Sequence, residues 1–266
     1  MELPQIGLGT WQNDEPEQCA ESVRTALEMG YRHVDTAEYY GNEKAVGEGI
    51  AAADVPRGEI TVATKVHPHS TGLSRDAVIE TARASRDRLG IDTIDLLYVH
   101  WPIGDYDAEE TLGAFNALLE EGTIRHAGVS NFEPELIEEA MEILDSPPVA
   151  NQVEMHPLLQ QEHLVEHAQE HDYNLVAYSP LCRGDVFDVP EVVEVAEKHD
   201  ASPAQVSLAW ITGKDNVVAI PKSESEGHIR DNFAARELAL DDEDIARIEG
   251  IDRRKRNVDY PDAPWH

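Results

Sequence analysis

Short apolar runs alternate with longer amphipathic segments along the whole chain. The apolar runs end mostly at Gly, Pro, Asp or Asn, as β-strands do. They occupy residues 6–10, 33–35, 60–66, 94–100, 125–130, 149–155, 174–179 and 216–220. Their near-continuous hydrophobicity is typical of strands that are buried on both faces of a parallel sheet.

The segments between these runs have the apolar spacing of amphipathic helices. They are residues 16–29, 74–89, 109–121, 134–144, 163–171, 203–212 and 225–235, with two additional helices predicted at 190–199 and 241–248. Eight strands separated by helices predict an α/β protein with a (β/α)8 TIM barrel, formed by residues 1–266 as a single domain. A doubly wound sheet is the alternative, but the glycines at 7 and 9 are not followed by the third glycine of a dinucleotide-binding turn.

Polar side chains end most of the predicted strands, and in a barrel the carboxyl ends of the strands form the active site. The strand ends and the loops just beyond them carry Thr10, Trp11, Asp35, Tyr40, Lys65, His100, Trp101, Ser130, Asn131, Gln152, Glu154, Tyr178, Ser179 and Lys222. Trp11 and Trp101 follow strand ends directly, so we expect both to line a substrate pocket.

Lys65 ends a strand that is otherwise apolar or β-branched. A lysine inside a barrel needs a carboxylate partner, because burial of an unpaired charge is costly. Asp35 ends the neighbouring strand and is the expected partner. A cation beside the phenol of Tyr40 would lower its pKa and make it a general acid near neutral pH. A purely structural ion pair is the alternative interpretation.

The segment 30–43, GYRHVDTAEYYGNE, resembles the signature of the aldo-keto reductases. Further matches occur in family order at residues 64–65, 97–102, 128–132, 151–154, 177–181 and 220–223. The resemblance extends to the small microbial type that includes diketogluconate reductases. It implies reduction of an aldehyde or ketone by a nicotinamide cofactor, with Asp35, Tyr40, Lys65 and His100 as the catalytic tetrad.

The resemblance also implies which residues hold an extended dinucleotide. Ser130, Asn131 and Gln152 would bind the carboxamide, Tyr178 would stack on the nicotinamide, and Lys222, Ser223 and Asn232 would bind the adenosine end. Thr10, Ser179, Leu181 and His228 complete the expected cofactor-binding set. NADPH is the expected cofactor. NADH is also possible, because His228 stands where the family often has an arginine and Glu224 lies beside Lys222.

The segment 102–107 is short and the tail from residue 252 reads as a surface loop, so we expect a shallow, open pocket. Such a pocket suits small aldehydes, 2-oxoaldehydes or keto sugars. Two other classes stay open: a cofactor-binding sensory or structural barrel subunit, and a metal-dependent hydrolase. The filled tetrad positions favour turnover.

No metal site is expected from the histidine pattern. His67 and His69 follow a later strand than the paired histidines of metallohydrolase barrels do. His163, His167 and His171 are four residues apart on one helix face, which predicts a solvated face, although surface histidines at this spacing can take up nickel or zinc.

The charge balance excludes several partners. The chain has 53 acidic and 21 basic side chains, a net charge of −32, and only 6 lysines. Nucleic acid and anionic membranes would be repelled, and no apolar run reaches the roughly 20 residues that span a bilayer. Two cysteines and no signal-peptide pattern predict a cytoplasmic protein. The pattern favours neither a monomer nor a small oligomer.

The excess of carboxylates predicts a halophilic protein whose stability rises with salt. The Debye screening length falls from about 10 Å at 0.1 M salt to about 3 Å at 1 M salt, so the repulsion among the carboxylates weakens. We expect activity and folding to be retained at molar KCl and lost on dialysis to low salt, with a Tm that rises between the two conditions. A Tm that stays constant across this range would contradict the halophilic interpretation.

Overall fold

The structure is a computed structural model that describes residues 1–266. Eight parallel strands pair in chain order in one sheet. They are β1 Leu8–Gly9, β2 His33–Asp35, β3 Thr61–Val66, β4 Ile94–Val99, β5 Ile124–Ser130, β6 Ala150–Glu154, β7 Asn174–Tyr178 and β8 Val217–Ala219. Parallel bridges from Ile6 to Ala219 and from Gly9 to Lys222 join the first strand to the last. The predicted (β/α)8 fold is therefore confirmed.

Helices follow the strands on the outside of the barrel. They are α1 Pro16–Met29, α2 Glu43–Ala52, α3 Arg75–Leu89, α4 Ala108–Glu121, α5 Pro134–Ile143, α6 Glu162–His171, α7 Pro190–Lys198, α8 Pro203–Thr212, α9 Glu226–Ala234 and α10 Asp242–Glu249. The predicted additional helices are α7 and α10. None of the ten combines the length and apolar character needed to span a bilayer.

Side chains on the two faces of the strands form two separate buried clusters. One set of side chains packs against the helices in the main core. The other set, which includes Ala63, Leu96, Val176 and Val218, forms a separate small cluster. Because side chains two apart on a strand share a face, Lys65 lies on the same face as Ala63. The polar residues at the strand ends therefore also face the interior of the barrel, at its carboxyl end.

The hydrophobic pattern does not predict α2. This helix contains Gly47 and Gly49, which have low helix propensity, and the preceding Gly41 and Asn42 read as a loop. The two glycines allow close helix packing. A Cβ at Gly47 would lie 2.2 Å from the carbonyl oxygen of Leu89, at the end of α3. Tertiary packing thus outweighs propensity here.

Replacing Gly47 with alanine should destabilise the fold by about 1–3 kcal/mol, because the new methyl group collides with backbone. Gly227→Ala in α9 is the matched control, since its added Cβ meets no atom within 4 Å. The control should be neutral or slightly stabilising, because alanine reduces the entropy of the unfolded chain. Equal urea midpoints for Gly47→Ala and the wild type would contradict this packing role.

Candidate active site

A cavity of about 490 Å³ lies at the carboxyl ends of the strands. Its volume is in the range of small-molecule sites. The predicted residues that line it are Thr10, Trp11, Asp35, Tyr40, His100, Trp101, Asn131, Gln152, Tyr178, Ser179, Leu181 and Lys222. Side chains from β2, β6 and β7 thus converge with loop residues, including His100 directly after β4, on one space.

Lys65 and Asp35 form a buried ion pair beneath the cavity. The Lys65 Nζ donates to Asp35 Oδ1 and, at 2.7 Å, to the carbonyl oxygen of Thr36. The second Asp35 oxygen accepts a hydrogen bond from Gln152 Nε2 at 2.7 Å. Burial lowers the pKa of Lys65, and the neighbouring Asp35 carboxylate opposes that shift. Each charge is therefore compensated within one closed network.

Tyr40 ends a short 3-10 turn that begins at Glu38 and stops at Gly41, whose φ of 70° suits glycine. Its ring centroid lies 5.2 Å from the Lys65 ammonium. Burial and the Asp35 carboxylate raise the pKa of Tyr40 well above its usual value. The expectation of a lowered pKa for Tyr40 is wrong, because burial of the phenol and the Asp35 carboxylate outweigh the nearby Lys65 charge. The phenol is therefore protonated at neutral pH.

His100 lies beside Tyr40, with 5.8 Å between the ring centroids in an edge-on arrangement. Burial, with the positive charge of Lys65, lowers the pKa of His100 well below its usual range. Its Nδ1 is buried and has no hydrogen-bond partner. A neutral imidazole and a neutral phenol thus face the same cavity.

Asn131 organises the neighbouring wall of the cavity. Its Nδ2 donates to the carbonyl oxygen of His100 at 3.0 Å, and its Oδ1 accepts from the Tyr178 hydroxyl at 2.9 Å. Ser130 lies behind this wall, where its Oγ donates to the Gln152 carbonyl oxygen at 2.8 Å. Ser130 therefore supports the wall but does not line the cavity.

Three of the predicted cofactor residues do not line the cavity and lie in α9 or just before it. Ser223 and Asn232 are buried, and His228 is exposed near the N-terminus of that helix. Lys222 pairs with Glu224 at 2.5 Å. A second cleft of about 450 Å³ adjoins α1 and α9 and is lined by Glu21, Glu224 and Glu226 among others. The positive charge of Lys222 therefore faces a strongly acidic surface.

The C-terminal tail closes part of the cavity, which corrects the expectation of an open pocket beside a surface loop. Val258 and Tyr260 line the cavity. Tyr260 packs edge-on against Trp101, with 4.8 Å between the ring centroids. Trp101 is 3% exposed, whereas Trp11 on the opposite rim is 36% exposed.

Glu154 anchors this tail. Its fully buried carboxylate accepts hydrogen bonds from the Asn257 backbone at 2.7 Å, the Val258 backbone at 2.8 Å and the Asn257 side chain at 2.9 Å. His156 Nε2 lies 2.8 Å from the same carboxylate. Burial alone would raise the pKa of Glu154, but these hydrogen bonds lower it overall. The end of β6 is therefore bonded to the cavity wall.

Sequence reasoning missed several residues that line the cavity. They are Gly9, Gln12, Tyr39, His67, Pro180, Arg183, Gly184, Ile220, Pro221, Val258 and Tyr260. Arg183 lies in the loop after β7 with a positive φ of 53°, and its guanidinium is 4.8 Å from the centroid of the Trp11 ring. The only available signal was position after a strand end, which does not tell which loop residues turn inward.

The histidine pairs do not form a metal centre in the cavity. The backbone N–H of His69 donates to His67 Nδ1 at 3.1 Å, and the two rings lie edge to face. The one cluster with metal-ligand dimensions in residues 1–266 is Glu138, His167 and His171. These residues belong to α5 and α6, outside the barrel.

The lining suits an extended dinucleotide. Tyr178 offers an aromatic ring next to Asn131 and Gln152 at one side, and Lys222 offers a cation toward the other.

A family model described as the aldo/keto reductase family matches residues 5–253. A 9,11-endoperoxide prostaglandin H2 reductase of Trypanosoma cruzi is 39% identical over 98% of this chain and 92% of its own. A methylglyoxal reductase of Escherichia coli is 37% identical over 97% and 96% of the two chains.

Solved structures agree with these similarities. A protein provisionally named 2,5-diketo-D-gluconic acid reductase B superposes with a TM-score of 0.93 at 34% identity, over 98% of this chain and 92% of that one. A Bombyx mori aldo-keto reductase in complex with NADP has a TM-score of 0.89 at 31% identity, over 98% and 95%. The chain belongs to the aldo-keto reductase family and is an oxidoreductase that reduces carbonyl compounds with NAD(P)H.

Proposed function

We propose that this enzyme reduces small aldehydes, 2-oxoaldehydes or keto sugars, with Asp35, Tyr40, Lys65 and His100 as its catalytic tetrad. The observation that carries the proposal is the protonated Tyr40 phenol, which lines the cavity beside the neutral His100 and above the Lys65–Asp35 pair. Bound NAD(P)H supplies the hydride, so the protein has to supply position and a proton.

Tyr40 acts as the general acid. Its raised pKa keeps the proton on the phenol until a carbonyl oxygen begins to gain negative charge. Proton transfer to that oxygen leaves a phenolate, which the Lys65 ammonium 5.2 Å from the ring stabilises. Asp35 holds Lys65 in place through its own hydrogen bond, and Gln152 holds Asp35.

His100 orients the carbonyl group. It is neutral, so one ring nitrogen carries a proton and can donate a hydrogen bond to the substrate oxygen. Asn131 accepts from Tyr178 and donates to the backbone of His100, which fixes the position of the imidazole relative to the aromatic wall. Trp101 and Tyr260, in edge-on contact, line another part of the same cavity.

The cavity size sets the substrate class. A volume of about 490 Å³, shared with the reactive end of a cofactor, leaves room for a small carbonyl compound. Several relatives are named reductases of small carbonyl compounds, including methylglyoxal and glyoxal reductases. A 2-oxoaldehyde or keto sugar is therefore the preferred class of substrate.

The cofactor preference is a modest one for NADPH over NADH. Lys222 provides a point charge for a 2′-phosphate, but its pairing with Glu224 offsets part of that charge. Exposed His228 lacks the guanidinium fork with which an arginine would bind a phosphate.

The first expected outcome concerns Tyr40. Purified wild type should oxidise NADPH when methylglyoxal is added, with the same rate in EDTA. Tyr40→Phe should lower kcat by about 100-fold or more, the scale of general acid catalysis, while fluorescence titration shows unchanged NADPH binding. Tyr106→Phe is the control, because the Tyr106 hydroxyl is buried without a partner and lies outside the cavity. Near-normal turnover in Tyr40→Phe would contradict the proton-donor role.

A second expected outcome concerns the acidic neighbour of Lys222. Glu224→Gln should free the Lys222 ammonium and lower the KM for NADPH by roughly threefold to fivefold, with little change for NADH. His228→Arg should act in the same direction. The measurement is KM for both cofactors at the lowest salt concentration at which the enzyme stays folded, where screening is weakest. Equal changes for NADPH and NADH would place the 2′-phosphate away from these residues.

A further inference from the structure

A cluster of metal-ligating side chains lies on the outside of the barrel, away from the cavity. Glu138 of α5 and His167 and His171 of α6 each offer one ligand atom, and these atoms all lie within 4.8 Å of one another. The two histidines are one helical turn apart, and their rings stack with centroids 4.2 Å apart. His163, one turn earlier, pairs instead with Glu133 at 3.0 Å.

His167 is buried, which corrects the expectation of a fully solvated histidine face. Only 9% of the residue is exposed. Its Nε2 is buried and has no hydrogen-bond partner. The nearest acceptor, Oε1 of Glu138, is 3.8 Å away, which is too long for a hydrogen bond. A buried ring nitrogen without a partner is costly unless something binds it.

The other ring nitrogen of His167 is held in place. Its Nδ1 lies 2.9 Å from the hydroxyl of Tyr173, which is itself buried. Binding of a metal at Nε2 places the imidazole proton on Nδ1, from which the Tyr173 hydroxyl oxygen can accept a hydrogen bond. Metal-bound histidines are commonly fixed by such a second hydrogen bond.

The cluster also matches the ligand preferences of a first-row divalent metal. Two imidazoles and a carboxylate, with a water molecule as the fourth ligand, form a usual zinc set. Tetrahedral ligands about 2.0–2.2 Å from zinc lie roughly 3.3–3.6 Å apart. The 3.8 Å between Glu138 and His167 therefore needs a small closure, and ligand atoms up to 4.8 Å apart need rotation of the exposed side chains.

We propose that Glu138, His167 and His171 form a structural site for a divalent transition metal, with Zn²⁺ as the best-fitting ion. The ion would join α5 to α6. His171 directly precedes β7, so the site is at the amino end of the barrel, opposite the cavity. Metal binding therefore stabilises the fold and takes no part in the carbonyl chemistry.

The test is Zn²⁺ titration of the untagged, metal-free full-length protein by calorimetry in molar KCl, which screens weak binding to surface carboxylates. We expect one Zn²⁺ per chain, a Tm that rises with Zn²⁺ concentration, and reversal by EDTA. Co²⁺ should show the visible bands of a tetrahedral site. Turnover should not change with Zn²⁺, which separates this result from any failure of the proposed catalytic role of Tyr40.

Variants of the exposed Glu138, His163 and His171 locate the site, and a variant of the buried Tyr173 tests the support of His167. His171→Ala and Glu138→Gln should each weaken Zn²⁺ binding at least about tenfold, while His163→Ala, the matched control on the same helix, should bind like the wild type. Tyr173→Phe should weaken binding about tenfold through His167. No measurable stoichiometric binding, or equal binding by the His171→Ala and His163→Ala variants, would overturn the proposal.

Discussion

The structure depends on one buried pair of opposite charges inside the barrel. Each charge alone would cost several kcal/mol to remove from water, and the attraction offsets this only when the geometry is good and the remaining polar atoms are bonded. Asp35 and Lys65 meet because β2 and β3 pair in a register that places Asp35 opposite Ala63, two residues before Lys65. Gln152, from the far side of the barrel, bonds the second carboxylate oxygen. The strand register and the chemistry of the cavity are thus specified by the same few atoms.

Much of this arrangement could be predicted from the sequence, because burial on both strand faces leaves a simple signal. Lys65 and His100 each end a run of apolar residues, and the carboxyl ends of parallel strands meet at one face of the barrel. The helix α2 could not be predicted, since its glycines are explained only by the backbone of α3 and by Ala20 and Val23 of α1, against which they pack.

The pKa values of the groups in the cavity could not be predicted from the sequence. Proximity to Lys65 predicted a lowered pKa for Tyr40, but the outcome depends on depth of burial and on the Asp35 carboxylate. Likewise the polar composition of the tail predicted solvent exposure. Its inward orientation follows from two backbone N–H groups and one amide that meet the carboxylate of Glu154, a match that no local pattern reveals.

The Glu154 anchor has a consequence for how this barrel can vary. One carboxylate at the end of β6 takes three hydrogen bonds from two consecutive tail residues, so the chain enters the rim at a fixed point and in a fixed direction. Residues beyond Val258 can change in length and character without moving that point of entry. Changes in the tail residues beyond Val258 would therefore alter the lining of the cavity, and with it the substrate preference, while the barrel stays the same.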